Sequence, residues 1–565
     1  MMGLRATVWR VNAAAPAGFG RRRLWEETSL QALMMDVPLL VSGILDHAAK
    51  YHTDTEVVSA GVGGRITRKT YGEVAARSAQ LAHALDAMGI GAGDRVATMA
   101  WNSNRHLELY FAVGGSGRVC HTINPRLFPE QIAFILDHAD DKAVFVEPMF
   151  LPLLETLKDA LPKGLAIVVL CEEDELPASG VFPDLVSYEG LIAGRSGTYE
   201  WPRLDENEAC SLCYTSGTTG NPKGVLYSHR SSVLHAMAIG WVDAIGLSGE
   251  DTACLVVPMF HVNAWGLPYA CPMMGAKMVM PGANLDGASL RKLFDAEGVT
   301  MSAGVPTIWM GLTAHMEDAG ATFGTLKRVA VGGSAMPAPL IERMNALGVS
   351  VRHAWGMTET SPVGLASALK PKHANLSDEE RLTLNAKQGR PLFGMQFRVE
   401  GADGSDVPRD AKSYGALLVR GPWVASRYFG SDSESPSFRA DGWFETGDVV
   451  TIDPDGYVQI VDRTKDVIKS GGEWISSIEL ENVATGHPAV KEAAVVARTD
   501  DKWGERPVLF LVVKDGRQAP TADDIRSFYE GKVARWCIPD DVRIVDALPH
   551  TATGKLRKTD IRDML

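Results

Sequence analysis

The feature that most constrains this chain is a twelve-residue loop rich in glycine and hydroxyl groups, Tyr214-Thr-Ser-Gly-Thr-Thr-Gly-Asn-Pro-Lys-Gly-Val225. It follows a short apolar run, Ala209 to Tyr214, which is typical of a buried strand. Glycine permits backbone angles and close approaches that other residues cannot adopt. Successive backbone N–H groups, together with Thr and Ser hydroxyls, form a concave anion site. Because Lys223 adds a mobile positive charge, the loop predicts the binding of a polyphosphate.

This loop differs from a Walker A phosphate loop. That motif requires Gly-Lys followed by Ser or Thr. In this chain Gly531-Lys532 is followed by valine and Gly554-Lys555 by leucine. A plain surface loop is the alternative for a few such residues, but the order of all twelve favours a dedicated phosphate site.

Length and charge restrict the class of protein. A chain of 565 residues is too long for one hydrophobic core, so we expect at least two domains. The net charge of −13 argues against general binding of nucleic acid or anionic membranes. No apolar run approaches the ~20 residues that span a bilayer, so we expect no stable membrane insertion.

The cysteines indicate a reducing compartment. Their odd number and scattered positions predict reduced core residues of a cytoplasmic protein. The pair Cys210 and Cys213 has the spacing of a redox or metal pair, but on a strand the two side chains point to opposite faces. The seven cysteines are Cys120, Cys171, Cys210, Cys213, Cys254, Cys271 and Cys537.

Residues 1–33 differ from the rest of the chain, because arginines precede the first acidic residue, Glu26. The segment has no apolar core typical of a secretory signal. We expect a disordered extension or a mis-set start, and a transit peptide stays open as the alternative.

Alternating helices and strands begin near residue 40. Val74 to Met88 repeats apolar residues on one helical face and ends at Gly89. Three apolar runs predict buried strands, namely Arg95 to Trp101, Lys142 to Val146 and Ala166 to Leu170. Such alternation indicates an α/β fold with largely parallel, helix-covered sheets.

A second set of elements begins near residue 463. Its predicted strands are Ala493 to Val496, Val508 to Val513 and Val542 to Val545. About 100 residues suffice for a small α+β domain. We therefore place domains at 34–462 and 463–565.

Further blocks follow the phosphate loop in a fixed order. They are Val331-Gly-Gly-Ser-Ala335, His353-Ala-Trp-Gly-Met-Thr-Glu359, Gly442-Trp-Phe-Glu-Thr-Gly-Asp448, Asp462-Arg-Thr-Lys-Asp466 and Leu548-Pro-His-Thr-Ala-Thr-Gly-Lys-Leu-Arg557. With the loop, they resemble the adenylate-forming superfamily of acyl-CoA synthetases, carrier-protein adenylation domains and firefly-type luciferases. The resemblance implies a large N-terminal AMP-binding domain and a small mobile C-terminal lid that turns on a hinge at Lys465.

The resemblance also implies roles at the nucleotide. Thr358 would donate to a phosphate oxygen, and Glu359 with Thr215 would hold Mg²⁺, which prefers oxygen ligands. Asp448 and Arg463 would bind the ribose hydroxyls, and Gly472 would line the pantetheine path of coenzyme A. The implied cofactor-binding residues are Thr215, Ser216, Gly217, Thr218, Thr219, Gly220, Lys223, Gly333, Ser334, Ala335, His353, Trp355, Gly356, Asp448, Arg463 and Gly472.

The resemblance implies particular contributions for Lys555 and Trp355. Lys555 would place an ammonium between the carboxylate of the acid and the α-phosphate, where it stabilises the negative charge of the transition state. Trp355 stands where the family usually has tyrosine. Its indole can stack on adenine but supplies no phenolic hydroxyl.

Residues of the acyl site are implied by the block Val256 to Gly266. By resemblance, Trp265 would gate an acyl tunnel and His261 would lie near the carboxylate as a catalytic residue. Taken alone, a tryptophan beside a proline is usually packing and a lone histidine is usually structural. Gly304 and Gly332 end apolar strands and would line the substrate pocket.

The implied reaction is the coupling of a carboxylic acid to AMP from ATP, followed by transfer of the acyl group to coenzyme A. The chain resembles bacterial medium- and long-chain fatty acyl-CoA synthetases and 3-methylmercaptopropionate–CoA ligases. Val119 to Phe128 and Leu226 to Ser231 carry much of this likeness. We expect a short- or medium-chain acid, with 3-(methylthio)propanoate as a candidate beside fatty acids, and a homodimer. A long-chain ligase, a luciferase-like monooxygenase and a carrier-protein adenylation module are the alternatives.

Overall fold

The computed structural model describes residues 32–61, 64–215, 221–401, 403–430, 435–471, 473–550 and 556–565. Residues 32–37 contain no helix or strand. Residues from Pro38 to Leu565 form one compact unit. Among the residues described, no helix has the length and apolar character to cross a bilayer.

Helices and strands alternate along most of the compact unit. The helices are α1 (Val41–Tyr51), α2 (Tyr71–Ala87), α3 (Asn104–Gly115), α4 (Pro129–Ala139), α5 (Leu151–Thr156), α6 (Tyr188–Ile192), α7 (His229–Gly240), α8 (Leu267–Met274), α9 (Gly287–Glu297), α10 (Pro306–Asp318), α11 (Ala338–Ala346), α12 (Asp378–Ala386), α13 (Ser477–Thr485), α14 (Ala522–Tyr529) and α15 (Lys558–Arg562). Short 3₁₀ turns lie at Pro148–Phe150, Lys158–Ala160, Glu173–Glu175, Val262–Gly266, Thr358–Thr360, Pro371–His373 and Arg535–Cys537.

The strands form four sheets. They are β1 (Glu56–Ala60), β2 (Ile66–Thr70), β3 (Arg95–Met99), β4 (Val119–Thr122), β5 (Asp141–Val146), β6 (Ala166–Val169), β7 (Val186–Ser187), β8 (Ala209–Tyr214), β9 (Gly224–Ser228), β10 (Thr252–Leu255), β11 (Lys277–Met280), β12 (Met301–Gly304), β13 (Arg328–Val331), β14 (Ser350–Gly356), β15 (Val363–Ala366), β16 (Arg390–Pro391), β17 (Gln396–Glu400), β18 (Tyr414–Arg420), β19 (Phe444–Ile452), β20 (Val458–Arg463), β21 (Ile468–Ser470), β22 (Glu473–Ile475), β23 (Val490–Asp500), β24 (Gly504–Val513) and β25 (Asp541–Ile544).

Two large sheets build the first part of the chain. The seven-stranded sheet has the order β7-β6-β5-β3-β4-β8-β9 and is parallel except for β9, which runs antiparallel to β8. The nine-stranded sheet has the order β16-β15-β14-β13-β12-β10-β11-β1-β2. Its central strands are parallel, and antiparallel strands close both edges. The α/β class predicted from the sequence is confirmed.

Each large sheet is covered by helices on both faces. Alternate residues of its strands belong to different cores, as the two-residue period of a strand requires. In the nine-stranded sheet, Val57 packs in the main core with α1, α2, α3, α7 and α8, whereas Val58 packs with α9, α10 and α11. In the seven-stranded sheet, Val96 belongs to that main core, whereas Ala97 packs against α4 and α5. The main core therefore joins the two sheets.

Two smaller sheets follow. A four-stranded antiparallel sheet, β17-β18-β19-β20, ends at Arg463. A five-stranded sheet starts at Ile468 and has the order β22-β21-β24-β23, with β25 parallel to β24. Residues 464–467 join the two sheets. The small C-terminal α+β part was predicted and is confirmed, while the 462/463 boundary and the mobility of this part stay predictions.

The cysteines and helix α2 agree with what the sequence predicts. All seven cysteines are buried and unpaired, which confirms their prediction as core residues. Helix α2 begins with a capping box in which the Thr70 side chain accepts from the Glu73 N–H and the Glu73 side chain accepts from the Thr70 N–H. It ends before Gly89, whose φ of 73° favours glycine.

Candidate active site

A cavity of about 540 Å³ opens at the carboxyl ends of the central strands of the nine-stranded sheet. Ligands in α/β folds bind at this edge, because loops that follow parallel strands meet there. Residues that follow β10, β12 and β13 line it, namely Val256, Val305 and Gly332. Thr215, Asn221 and Lys223, next to the paired ends of β8 and β9, line one side, and residues 556–559 of the C-terminal sheet domain line another.

The predicted phosphate loop connects β8 to β9, which pair antiparallel with Tyr214 opposite Gly224. The N–H of Thr215 donates to the carbonyl of Lys223 at 2.9 Å. In return, the N–H of Lys223 donates to Oγ1 of Thr215 at 3.3 Å. These two bonds fix the base of the loop, and both residues line the cavity. The predicted residues Ser216, Gly217, Thr218, Thr219 and Gly220 lie outside the described residues.

Glu359 stands on a 3₁₀ turn, Thr358–Thr360, that follows β14. Tyr227 holds this turn by donating its hydroxyl to the carbonyl of Thr358 at 2.7 Å. Tyr428 donates its hydroxyl to Oε1 of Glu359 at 2.8 Å. Burial raises the pKa of the Glu359 carboxyl, and the hydrogen bond from Tyr428 opposes that shift. The carboxyl is therefore placed by two tyrosines from different parts of the chain.

The Glu359 region fits the predicted magnesium ion. Among the described residues there is no group of three or more His, Cys, Asp or Glu side chains that could hold a metal. Mg²⁺ commonly takes one or two carboxylates and completes its shell with waters and substrate phosphates. Glu359 and the hydroxyl residue Thr215 both line the cavity and have the oxygen ligands that such a site uses.

Tyr428 is a site residue that our sequence analysis missed. Besides binding Glu359, its ring lies 4.9 Å below the Nζ of Lys223, a cation–π distance. It thus links the two residues predicted to act on phosphate and metal. No feature of the neighbouring sequence distinguishes this tyrosine from a core tyrosine.

Asp448 is held by two donors. The register of β19 and β20 places Asp448 opposite Arg463, and Nε of Arg463 lies 2.6 Å from Oδ1 of Asp448. The indole Nε1 of Trp355 donates to Oδ2 at 2.9 Å. Of these three, Trp355 and Arg463 line the cavity and Asp448 lies behind them. Trp355, which lacks the phenolic hydroxyl of a tyrosine, thus donates through its indole to Asp448, the carboxylate that is predicted to bind ribose.

The other end of the cavity is apolar. Phe260, Leu285, Val305 and Ile308 line it together with Trp265. A Cβ on Gly332 would lie 2.8 Å from the carbonyl oxygen of Ala354 and 3.2 Å from the Trp265 ring. Only glycine therefore allows the indole to lie against β13 at this point. His261 also lines the cavity.

Five of the predicted site residues lie in the described part of the chain but do not line the cavity. Gly304 packs against Trp309, and the next residue, Val305, faces the cavity instead. The ring of His353 is buried and its Nδ1 lies 3.0 Å from the carbonyl oxygen of Ala386, and burial lowers its pKa to about 4. The other residues off the cavity wall are Ser334, Ala335 and Asp448.

The C-terminal domain reaches the same cavity. Lys465 lines it, and its carbonyl accepts from Nη2 of Arg562 at 3.0 Å. Burial lowers the pKa of the Lys465 ammonium. Leu556 also lines the cavity. The residue before it, Lys555, is predicted to be catalytic and lies outside the described residues, as does Gly472.

Of the predicted site residues that the structure describes, most line one cavity. These are Thr215, Lys223, His261, Trp265, Gly332, Gly333, Trp355, Gly356, Thr358, Glu359, Arg463 and Lys465. Their individual roles stay predictions. One continuous space is lined by both polar and apolar side chains, which suits a molecule with an anionic head and a hydrocarbon tail placed beside a nucleotide.

Comparison with known proteins supports the same interpretation. Residues 45–429 match the family model of the AMP-binding enzyme, and residues 479–555 match that of the AMP-binding enzyme C-terminal domain. The medium-chain-fatty-acid–CoA ligase of Ectopseudomonas oleovorans is 50% identical over 531 residues, which cover 94% of this chain and 96% of that protein. The 3-methylmercaptopropionyl-CoA ligase of Ruegeria lacuscaerulensis is 49% identical over 531 residues, covering 94% of this chain and 98% of that protein.

A solved structure has the same fold. The crystal structure of the anthranilate CoA ligase AuaEII in complex with anthranoyl-AMP matches with a TM-score of 0.83 at 27% sequence identity. The match covers 94% of this chain and 98% of that one. Both large sheets and the small C-terminal domain are therefore part of a known architecture.

Proposed function

This chain belongs to the AMP-binding enzyme family, and we propose that it converts a short- or medium-chain carboxylic acid into its coenzyme A thioester through an acyl-adenylate. Relatives that are CoA ligases at about 50% identity place it among acid–CoA ligases. The observation that supports the proposal most directly is the single cavity that joins the phosphate loop to the apolar end at Trp265.

In the first step, the carboxylate of the acid attacks the α-phosphorus of ATP and pyrophosphate leaves. Charge neutralisation and positioning account for most of the acceleration of such reactions. Lys223 would neutralise the phosphates, Thr358 would donate to a phosphate oxygen, and Asp448 with Arg463 would hold the ribose. Mg²⁺ held by Glu359 and Thr215 would reduce the repulsion between the incoming carboxylate and the phosphate oxygens.

Lys555 would act in the same step from the C-terminal domain. An ammonium between the carboxylate and the α-phosphate stabilises charge that develops in the transition state. Support comes from Leu556, the residue that follows Lys555, because it lines the cavity.

In the second step, the thiol of coenzyme A attacks the acyl carbon and AMP leaves. The two steps need different neighbours at one site, so we propose that the C-terminal domain turns at Lys465 between them. The single short connection at residues 464–467 between two sheets supports such a hinge.

We propose that the acid has a short or medium apolar chain, with 3-(methylthio)propanoate as a candidate. The apolar side chains Phe260, Val305 and Ile308 support a hydrocarbon or thioether tail. Methylthio and short alkyl acids have similar shape and polarity, and an apolar pocket discriminates weakly between them. A long-chain acid is the second candidate. We further propose a cytoplasmic homodimer, which the buried, unpaired cysteines support for the compartment; light scattering on the purified protein tests the dimer.

A screen of acids tests this function. Purified protein is given ATP, Mg²⁺ and coenzyme A with straight-chain acids from acetate to palmitate and with 3-(methylthio)propanoate, and AMP and thioester are measured. We expect both products in equal amounts, with a maximum at a short or medium chain. Adenylate without thioester, but with light or an oxidised product, would identify a monooxygenase instead. Loading of a phosphopantetheine carrier in place of coenzyme A would identify an adenylation module.

A further inference from the structure

The segment that carries Trp265 has an unusual backbone. Val262, Asn263, Ala264 and Trp265 have φ values of 47°, 49°, 45° and 57°. Left-handed conformations are unfavourable for residues with a Cβ, most of all for β-branched and bulky ones. Gly266 continues the turn at φ 79°, which glycine adopts readily. Four such residues in succession require strong external support.

Asn263 supplies that support through its side chain, which is buried. Its Nδ2 donates to Oγ of Ser211 at 2.7 Å. Its Oδ1 accepts from the hydroxyl of Tyr110 and from Sγ of Cys213, both at 3.2 Å. Strained residues persist only where the surroundings over-determine their conformation. The amide of Asn263 meets that condition with three partners.

The partners belong to rigid elements. Ser211 and Cys213 lie on β8, inside the seven-stranded sheet, and Tyr110 lies on α3. The hydroxyl of Tyr110 is shared with the carbonyl of Met259, three residues before Val262. The strained turn is therefore fixed to the sheet that ends in the phosphate loop, whereas its Trp265 ring lies against Gly332 of the other large sheet.

We propose that Asn263 is a positioning residue that holds this left-handed turn and thereby sets the depth of the acyl pocket through the Trp265 indole. The inference rests on the proposed function, since it assumes that the apolar end of the cavity receives the acyl chain. If the amide is lost, the turn relaxes toward right-handed angles and the indole leaves its place beside Gly332. Acid selection then changes, and nucleotide binding does not.

The test measures kcat/KM for a series of straight-chain acids, and KM for ATP, in wild type and in Asn263→Ala. We expect the ratio between the best and the next longer acids to change by roughly tenfold, the usual effect of altered fit in an apolar pocket. The KM for ATP should stay within about twofold of wild type. Trp265→Ala should change the profile in the same way, and the double variant should match Trp265→Ala alone, because Asn263 acts through that ring.

A milder pair of variants covers the case in which Asn263→Ala does not fold. Ser211→Ala removes one partner of the amide, and Ser302→Ala removes an equally buried strand hydroxyl that donates to the carbonyl of Cys254 instead. We expect Ser211→Ala to shift the acid profile and Ser302→Ala to leave it unchanged. Equal losses for all acids in Asn263→Ala and Ser211→Ala, or additive profile changes in the double variant, would overturn the positioning role. If wild type itself released no AMP with any acid, the proposed function would fail and this inference with it.

Discussion

At the proposed nucleotide end of the cavity the side chains are charged or polar and bind one another directly, whereas at the proposed acyl end they are apolar and the hydrogen bonds lie behind them. Asp448 binds Trp355 and Arg463, and Glu359 accepts from Tyr428, each at a defined atom. At the other end, Trp265 is fixed by the close contact with Gly332 and by a strained turn. Under the proposed function, the polar end would determine the binding of the nucleotide, and the shape of the apolar end would determine which acid enters. The two ends should therefore respond differently to substitution.

The largest expected effect is that of replacing Lys555, the lysine of the C-terminal domain. Lys555→Ala should reduce pyrophosphate release from ATP and acid by at least about 100-fold, because an oriented cation no longer stabilises the transition state. Thioester formation from supplied acyl-adenylate should continue at a near-normal rate. The exposed Lys532 of the same domain provides the control, since Lys532→Ala should leave both half-reactions unchanged. Survival of both half-reactions in Lys555→Ala would show that the reaction does not depend on this lysine.

The next prediction concerns the nucleotide end. Asp448→Asn removes the charge that pairs with Arg463 and weakens the acceptor proposed for the ribose hydroxyls. The KM for ATP should rise about tenfold, equivalent to ~1.4 kcal/mol, while the order of preference among acids stays the same. Asp453→Asn is a matched control, because it removes the charge of another buried aspartate, which pairs with Lys387 at 2.7 Å and does not line the cavity. An unchanged KM for ATP would contradict the ribose assignment.

Substitution at the proposed acyl end should instead change the preference among acids and leave the KM for ATP nearly constant. Trp265→Ala removes the indole that we propose limits the depth of the acyl pocket, so longer acids should gain relative to shorter ones by roughly tenfold in kcat/KM. The KM for ATP should change by less than about twofold. Steady-state kinetics with the acid series measure both. If the acid profile stayed as in wild type while the KM for ATP rose, the indole would belong to the nucleotide site and the division between the two ends would be wrong.

The two ends also differ in how far the sequence predicts them. Thr215, Lys223, Glu359 and Arg463 stand in short blocks, because a phosphate or ribose contact needs a particular functional group, and the structure brings all four to one cavity. Tyr428 was missed because its contact with Glu359 joins distant parts of the chain. The turn at Asn263 was missed because left-handed angles in non-glycine residues depend on partners from other elements rather than on local preference.

The fold, too, was predicted from the sequence only in part. Strands such as Lys142 to Val146 were predicted correctly, since buried parallel strands are continuous apolar runs. The β8–β9 hairpin and the four-stranded sheet from Gln396 to Arg463 were not predicted. Their pairing depends on which strands meet in three dimensions, and apolar periodicity along the chain does not contain that information.

The smallest effect tests Trp355, the position where the sequence resemblance leads one to expect tyrosine. Trp355→Phe keeps an aromatic ring but removes the indole N–H that donates to Oδ2 of Asp448. A hydrogen bond to a charged group is worth about 1.5–3 kcal/mol, but Arg463 still holds Oδ1, so we expect the KM for ATP to rise by only about threefold to fivefold. The control is Trp309→Phe, because Nε1 of Trp309 has no hydrogen-bond partner among the described residues and its loss removes packing alone. Equal KM values for ATP in the two variants would mean that Trp355 contributes ring area and not a positioned donor; a rise confined to Trp355→Phe, with the acid profile unchanged, would assign the indole N–H to the nucleotide end.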